Sequence, residues 1–204
     1  MMKRFTIAIL VFVLCTATFA KNAPKTLIAY FSFPITGGKE ALDATSGASV
    51  VPNSNGMGNA EFIALTIAKV INADVFKIDT GDHYPHDYNK IFDITNAEQR
   101  KKVKPKLVSH VADMKKYNTV IICCPVWWYK MPLAVQAFLD EYDLSGKTIY
   151  LSVTHGGSRS GGIEREIAAA EPKATISKNM LILNRSEIGQ SEKKIIDWAK
   201  GLGL

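Results

Sequence analysis

Three residues that could hold a phosphate stand at the start of a predicted helix, in the sequence Gly58-Asn59-Ala60. A helix N-terminus offers free amide hydrogens and partial positive charge to an anion, and glycine lets the anion approach the backbone. Upstream, Ser32 and Thr36 follow a predicted strand and would add hydroxyl donors. The segment lacks the Lys of the G-x-x-x-x-G-K-[ST] pattern, which argues against a nucleotide-triphosphate loop. An ordinary glycine-initiated helix remains the alternative interpretation.

A second unusual segment is "PVWWYKMP", which runs from Pro125 to Pro132 directly after a very hydrophobic predicted strand. Aromatic side chains in a connecting loop need something to cover or to stack on. One of them, with Trp128 the expected one, could instead anchor the loop to the core. The remaining aromatic side chains would then be available to a flat ligand.

The third segment, "VTHGGSRSGG" over 153–162, contains four glycines among ten residues. Glycines permit tight turns and a close approach of the backbone to a flat ligand, although a plain surface loop would have a similar composition. His155 could donate a proton near a ligand or could serve only as a polar capping residue. No serine lies in a G-x-S-x-G elbow, so a nucleophilic serine is not expected here.

Strand and helix patterns alternate along the chain, which predicts a three-layer α/β sandwich around a parallel sheet of five strands. The predicted strands cover 26–31, 74–78, 118–125, 147–153 and 176–183. The predicted helices cover 59–72, 88–102, 131–142, 162–170 and 191–202. The carboxyl ends of parallel strands share one edge of the sheet, where ligands bind in such folds. The three unusual segments are therefore expected to meet there.

Bulk composition is that of one globular domain, with 204 residues, 47% hydrophobic residues and a net charge of +6. Residues 1–20 have the charge, apolar core and small-residue order of a secretory signal peptide, with Thr18 and Ala20 before the cleavage point. The expected organisation is a signal peptide over 1–20 and a single domain over 21–204 with a long inserted loop at about 33–57. Export to the periplasm or the extracellular space follows, and membrane attachment only if the signal stays uncleaved.

Other ligand classes find little support in the sequence. Cys123 and Cys124 are adjacent, so on a strand they would point to opposite faces and pack as small hydrophobic residues. No spacing of His, Cys, Asp or Glu suggests a metal site. The basic run "QRKKVKPK" at 99–106 lacks interleaved aromatic residues, so it is interpreted as a solvated face and nucleic acid is not an expected partner.

The chain resembles the flavodoxin-like proteins, specifically a group of bacterial flavodoxin-domain proteins. The residues that carry the resemblance are "LIAYFS", "GNAEFIA", "YPHDYN" at 84–89, "PVWWYKMPLAVQAFLDEYDLSGKTI" at 125–149 and "THGGSRSGG" at 154–162. The resemblance spans almost all of 25–204. It implies a sheet of strand order 2-1-3-4-5 that binds FMN noncovalently.

The resemblance also assigns roles to the three loops. The phosphate maps onto Ser32, Thr36, Gly58, Asn59 and Ala60. The isoalloxazine ring would be flanked by Pro125, Val126, Trp127, Trp128 and Tyr129. The pyrimidine edge of the ring would contact Thr154, His155, Gly156, Gly157 and Ser158.

The sequence departs from the family pattern at the phosphate loop. Ala60 stands where a Thr usually follows Gly-Asn, and the 33–57 insertion interrupts the loop. The missing hydroxyl removes a hydrogen bond to a charged group, worth about 1.5–3 kcal/mol. Thr36, Ser54 or Asn55 of the insertion could replace it.

These features together predict an exported FMN-binding redox protein, an oxidoreductase that passes electrons to a small acceptor such as a quinone, with His155 or Tyr129 near the substrate. One alternative is an electron-carrier flavodoxin that serves protein partners; such carriers are typically acidic, whereas this chain is basic. Another is a binding protein that kept the fold and lost FMN. The sequence identifies neither the electron donor nor the acceptor, and it assigns no catalytic residue.

Overall fold

Six parallel strands form one sheet in the computed structural model, which describes residues 25–34 and 56–204. The strands are β1 (Lys25–Tyr30), β2 (Ala73–Lys77), β3 (Tyr117–Pro125), β4 (Thr148–His155), β5 (Thr175–Ile176) and β6 (Leu181–Asn184). Their order is β2-β1-β3-β4-β5, and β6 also pairs with β4. The predicted order 2-1-3-4-5 is therefore confirmed.

In the described part of the chain, five helices cover the two faces of the sheet and give the predicted three-layer α/β sandwich. They are α1 (Asn59–Ala68), α2 (Tyr88–Lys101), α3 (Leu133–Glu141), α4 (Ile163–Ala170) and α5 (Glu192–Lys200). Short 3-10 turns lie at Gly81–His83, Met114–Lys116 and Arg185–Gln190. None of the helices in the described ranges is long and apolar enough to cross a membrane.

Alternation along β3 divides the core into two halves, because successive side chains on a strand face opposite sides. Ile122 and Cys124 pack with Phe138 of α3 and Ile163 of α4. On the other face, Ile121 and Cys123 pack with residues of α1 and α5. The two cysteines are thus buried on opposite faces as free thiols, as their adjacency on a strand predicts.

The predicted last strand, 176–183, is the main difference between expectation and structure in the fold. It divides into β5 and β6, and both pieces pair with β4. A polar turn separates them, in which the Asn179 amide donates to Ser177 Oγ at 3.1 Å. Helix α1 also ends four residues earlier than predicted, at Ala68 rather than Asn72.

Candidate functional site

The phosphate half of the expected site is built from the end of β1 and the start of α1. Ser32 and Asn59 are buried, with Asn59 only 1% exposed. Ser32 Oγ and both polar atoms of the Asn59 side chain have no hydrogen-bond partner within the described part of the chain. A buried polar group without a partner costs about 1–3 kcal/mol. These three atoms are therefore poised for a ligand with complementary polar groups.

Gly58 brings these two elements into contact. A Cβ atom at this position would overlap Ser32 Oγ, so only glycine allows the strand end and the helix start to lie this close. The N-cap residue of α1 is Gly58, which has no side chain to cap the helix, and the first backbone bond of α1 runs from the Phe62 amide to the Gly58 carbonyl at 2.9 Å. The preceding helical amides, including that of Ala60, have no acceptor inside the helix.

Ala60 itself is fully buried and packs in the core with Ile28 and Ile63. Because its side chain packs in the core, Ala60 can donate a hydrogen bond to an anion only through its backbone amide. Thr36, Ser54 and Asn55 lie outside the described residues, as do the expected signal peptide and most of the 33–57 insertion.

The second loop differs from expectation in which tryptophan anchors it. Trp127, rather than Trp128, lies in the core at 2% exposed. Its ring makes edge contacts with Phe31 and Tyr84, with centroids 5.1 and 5.4 Å apart. The Val126 amide still donates to the Thr154 carbonyl of β4, at 2.9 Å, and the chain leaves the sheet after this residue. Alternation along a strand therefore no longer determines which tryptophan side chain faces the core.

The other two aromatic residues of this loop lie nearer the surface. Trp128 is half-buried, its Nε1–H donates to Thr95 Oγ1 of α2 at 3.0 Å, and its ring packs on Phe92. Tyr129 is 77% exposed. Pro125 and Val126 are buried at the end of β3. Of the three expected ring-flanking aromatics, Tyr129 thus presents the most open surface, and Trp127 has a buried indole N–H that finds no partner among the residues that the structure describes.

A tight hairpin turn holds Trp128 and Tyr129 in an uncommon backbone conformation. Both have positive φ, 54° and 60°, and Trp127 and Lys130 exchange backbone hydrogen bonds of 3.0 and 2.9 Å across the turn. Positive φ at both central residues is typical of a type I′ turn, which prefers Asn-Gly. Strained residues of this kind concentrate at functional sites.

The third loop packs against the second. A Cβ at Gly161 would lie 2.9 Å from Val126 Cγ1 and 3.1 Å from the Tyr129 carbonyl, so glycine permits this close approach. Thr154 is buried in β4. Gly156 and Gly157 are exposed, and the buried Ser158 Oγ has no partner in residues 25–34 and 56–204.

One ring nitrogen of His155 accepts a hydrogen bond from the backbone of its own loop. Its Nδ1 accepts from the Gly157 amide at 2.9 Å, so in the neutral ring the proton resides on Nε2. Partial burial lowers the pKa of His155; Glu187 opposes this shift and Arg159 adds to it. His155 is consequently a neutral imidazole with one N–H donor at neutral pH.

Residues from α2 and the turn before it complete the wall behind Trp127, and their roles were not predicted from the sequence. His83 Nε2 lies 2.6 Å from Glu98 Oε1, and Tyr84 donates to Glu98 Oε2 at 3.0 Å. Burial raises the pKa of Glu98, which the hydrogen bonds from His83 and Tyr84 oppose. The motif "YPHDYN" carries part of the family resemblance, and Tyr84 within it is the residue that could have indicated a role for this turn in the site.

The distribution of unpaired polar atoms tests whether these residues fit FMN. In the described ranges, seven buried side-chain nitrogen or oxygen atoms lack a partner, and five belong to residues expected in the site. Those residues are Ser32, Asn59, Trp127 and Ser158, which come from all three loops. Neutral hydroxyl, amide and indole groups suit a phosphorylated, hydrogen-bonding ligand. The residues present therefore fit FMN.

No group of three or more His, Cys, Asp or Glu side chains that could hold a metal ion occurs among residues 25–34 and 56–204.

Solved structures with the same fold are similar to this chain. A protein from Bacteroides uniformis, provisionally assigned as a flavoprotein, has a TM-score of 0.62 at 22% identity, over 87% of this chain and 98% of its own. A corresponding protein from Bacteroides eggerthii has a TM-score of 0.63 at 22% identity, over 88% and 98%. A flavoprotein from Lactobacillus acidophilus, solved in complex with FMN, has a TM-score of 0.57 at 15% identity, over 82% and 98%.

A search among curated proteins finds no match to this chain. A family model described as Flavodoxin matches residues 48–201, which include all five helices and the second and third loops. The chain belongs to the flavodoxin family.

Proposed function

We propose that this protein binds FMN noncovalently at the three loops and works as a redox protein through it. The observation that carries the proposal is that five of the seven buried side-chain polar atoms without a partner in the described ranges belong to residues of the three loops, Ser32, Asn59, Trp127 and Ser158. When bound, FMN supplies the capacity to accept and pass on electrons, and the chain supplies binding, orientation and the electrostatic environment.

In the phosphate half, neutral donors do the binding. The donors we assign to the phosphate are Ser32 Oγ, which lies against Gly58, the Asn59 side-chain amide and the free amides at the start of α1. The Asn59 amide is an unpaired donor beside the position where family members carry a Thr. We therefore assign to Asn59 a hydrogen bond to the phosphate, which does not replace the missing hydroxyl at position 60 because family members carry that Thr in addition to the Asn.

In the ring half, the second and third loops form the two walls. Tyr129 offers an exposed aromatic face, and the exposed backbone of Gly156 offers an amide at the ring edge, whereas the Gly157 amide bonds His155 Nδ1. Trp127 is held in the core, so it contributes its indole N–H rather than a stacking face. The neutral His155 keeps a proton on Nε2, which a small acceptor beside the ring could receive in a hydrogen bond.

Binding of FMN is tested by titrating the full chain with FMN and with riboflavin, which lacks the phosphate. We expect tighter binding of FMN, and Asn59→Ala should reduce that preference roughly 10- to 100-fold through loss of a hydrogen bond to a charged group. Asn118→Ala, at an exposed position of β3, is the matched control and should behave as wild type. Equal affinity for both flavins in the wild type would refute the phosphate site.

We further infer an oxidoreductase that reduces a small acceptor such as a quinone. The chain is basic, with a net charge of +6 in full and +4 without Lys3 and Arg4 of the signal peptide, and this favours the enzyme over an acidic electron carrier. Reduction by NAD(P)H with quinone turnover would support the enzyme, whereas reduction only through a partner protein would support the carrier. A protein that takes up no FMN would match the third alternative, a flavodoxin fold used for binding alone. Export, inferred from residues 1–20, remains part of this proposal.

A further inference from the structure

Arg185 lies beside the third loop, although it is distant in the sequence from the loops considered so far. Strand β6 pairs with β4 so that Asn184 lies opposite His155, which brings Arg185 alongside Gly156. A Cβ at Gly156 would stand 3.1 Å from Arg185 Cζ and 3.2 Å from its Nη1. The guanidinium group therefore lies directly against the backbone of Gly156.

The backbone around Arg185 is well fixed. Asn184 Oδ1 accepts from the Ser186 amide at 3.1 Å and from the Ser186 hydroxyl at 2.9 Å. The 3-10 turn Arg185–Gln190 that follows is anchored by the buried Ile188. Since the register of β6 and this turn both hold the backbone of Arg185, the placement of this residue beside Gly156 is a property of the fold.

Two further charges face this loop. Arg159 is exposed within the loop, and Glu187 acts on His155 from the turn that Arg185 begins. Glu187 therefore opposes the positive charge of Arg185 at the same place. The pair Arg185 and Glu187 offers a positive and a negative group whose removal should have opposite electrostatic effects.

We propose that Arg185 sets the reduction potential of FMN bound at this site by stabilising the reduced form. The inference rests on the proposed function, in which the third loop contacts the pyrimidine edge of the ring. Reduction of FMN by two electrons and one proton leaves one additional negative charge on the ring. A guanidinium behind Gly156 attracts that charge and favours the reduced form over the oxidised form.

The expected size follows from Coulomb attraction over a short path through protein. Charges closer than the Debye length, about 8–10 Å, are weakly screened by salt. At an effective dielectric of about 20, removal of one such charge should weaken binding of reduced FMN relative to oxidised FMN roughly tenfold. For a two-electron couple, that factor corresponds to about 30 mV.

The test measures the two-electron potential of bound FMN by titration with dithionite against a reference dye, with the affinity for oxidised FMN measured separately. Arg185→Gln should lower the potential by about 30 mV and leave the affinity for oxidised FMN within roughly threefold. Arg185→Lys, which keeps the charge, should retain most of the potential. Glu187→Gln should raise it. Lys25→Gln removes the same charge at the exposed first residue of β1, at the amino end of the sheet, and should leave the potential unchanged.

An unchanged potential in Arg185→Gln would overturn the inference, and so would loss of oxidised FMN binding in both Arg185 variants, which would indicate a structural role. If Arg185→Gln does not fold, Glu187→Gln decides, since an unchanged or lowered potential there would also overturn it. Failure of the wild type to bind FMN would instead refute the proposed function.

Discussion

At the scale of single residues, the contact between Gly58 and Ser32 decides whether the phosphate cradle can exist. Gly58 has φ −75° and ψ 159°, which any residue can adopt, so the need for glycine is steric rather than conformational. A Cβ there would meet the buried Ser32 Oγ. The two residues are separated by the whole insertion in sequence, so sequence reasoning could pair them only through the fold.

Gly58→Ala should therefore destabilise the protein by about 1–3 kcal/mol, as overpacking does, and should weaken FMN binding. The measurements are urea unfolding of the ligand-free protein and FMN titration. In the double variant Ser32→Ala/Gly58→Ala the overlap is relieved, so stability should recover while FMN affinity stays low. Full recovery of FMN affinity in the double variant would show that Ser32 Oγ does not contribute to the site.

Tyr129 is strained, since its φ of 60° is unfavourable for any residue with a Cβ. Tyr129→Gly should relieve this strain and raise the free energy of unfolding by about 1 kcal/mol, measured by thermal melting. The same change should weaken FMN binding, because the exposed aromatic wall is lost.

Lys102→Gly is the matched control, because Lys102 ends α2 with φ 53° and is not among the residues assigned to the FMN site. It should gain similar stability and keep FMN affinity. A Tyr129→Gly variant that binds FMN as tightly as wild type would remove Tyr129 from the site.

At the scale of elements, the sequence predicted most of the sheet because buried strands carry a strong signal. β3 and β1 are continuous apolar runs, and their positions agree with prediction to within one or two residues. The break between β5 and β6 was missed because it depends on a Ser177–Asn179 turn inside a mostly apolar run. The choice between Trp127 and Trp128 was wrong because a loop lacks the period that orients side chains on a strand.

Helix α2 carries the buried Glu98, whose pKa is raised chiefly by burial. A raised pKa in the folded state means that the folded protein keeps this proton at a pH where the unfolded chain has released it. Stability from this group is therefore present below the unfolded pKa of about 4.3 and declines as pH rises through the folded value.

Glu98→Gln should flatten that decline and improve stability at neutral pH relative to wild type, because the amide can still accept from the Tyr84 hydroxyl. Urea unfolding at a series of pH values from 4 to 8 measures the effect. Asp93→Asn, at an exposed position of the same helix, is the control, and its stability should depend on pH as that of the wild type does. If the free energy of unfolding changed with pH in the same way for Glu98→Gln and the wild type, this would contradict a raised pKa of Glu98.

At the scale of the whole molecule, the chain should exist in two lengths if residues 1–20 direct export. Expression of the full chain in a bacterial host with a periplasm should yield a mature protein that begins at Lys21, as measured by intact mass and N-terminal sequencing. A substitution to a bulky charged residue, Ala20→Arg, should block cleavage, whereas Lys21→Gln should not. An uncleaved wild-type protein in the soluble fraction would refute the signal peptide.

Cys123 and Cys124 lie on opposite faces of β3, so the rates at which their thiols are alkylated can report when the centre of the sheet becomes exposed. Burial raises the pKa of both thiols, that of Cys124 to about 12, so neither is a reactive thiolate in the folded protein. Alkylation of either must wait for the central strand to become exposed. Because one thiol reports the layer of α1 and α5 and the other the layer of α3 and α4, a difference in their labelling rates would reveal which half of the core opens first.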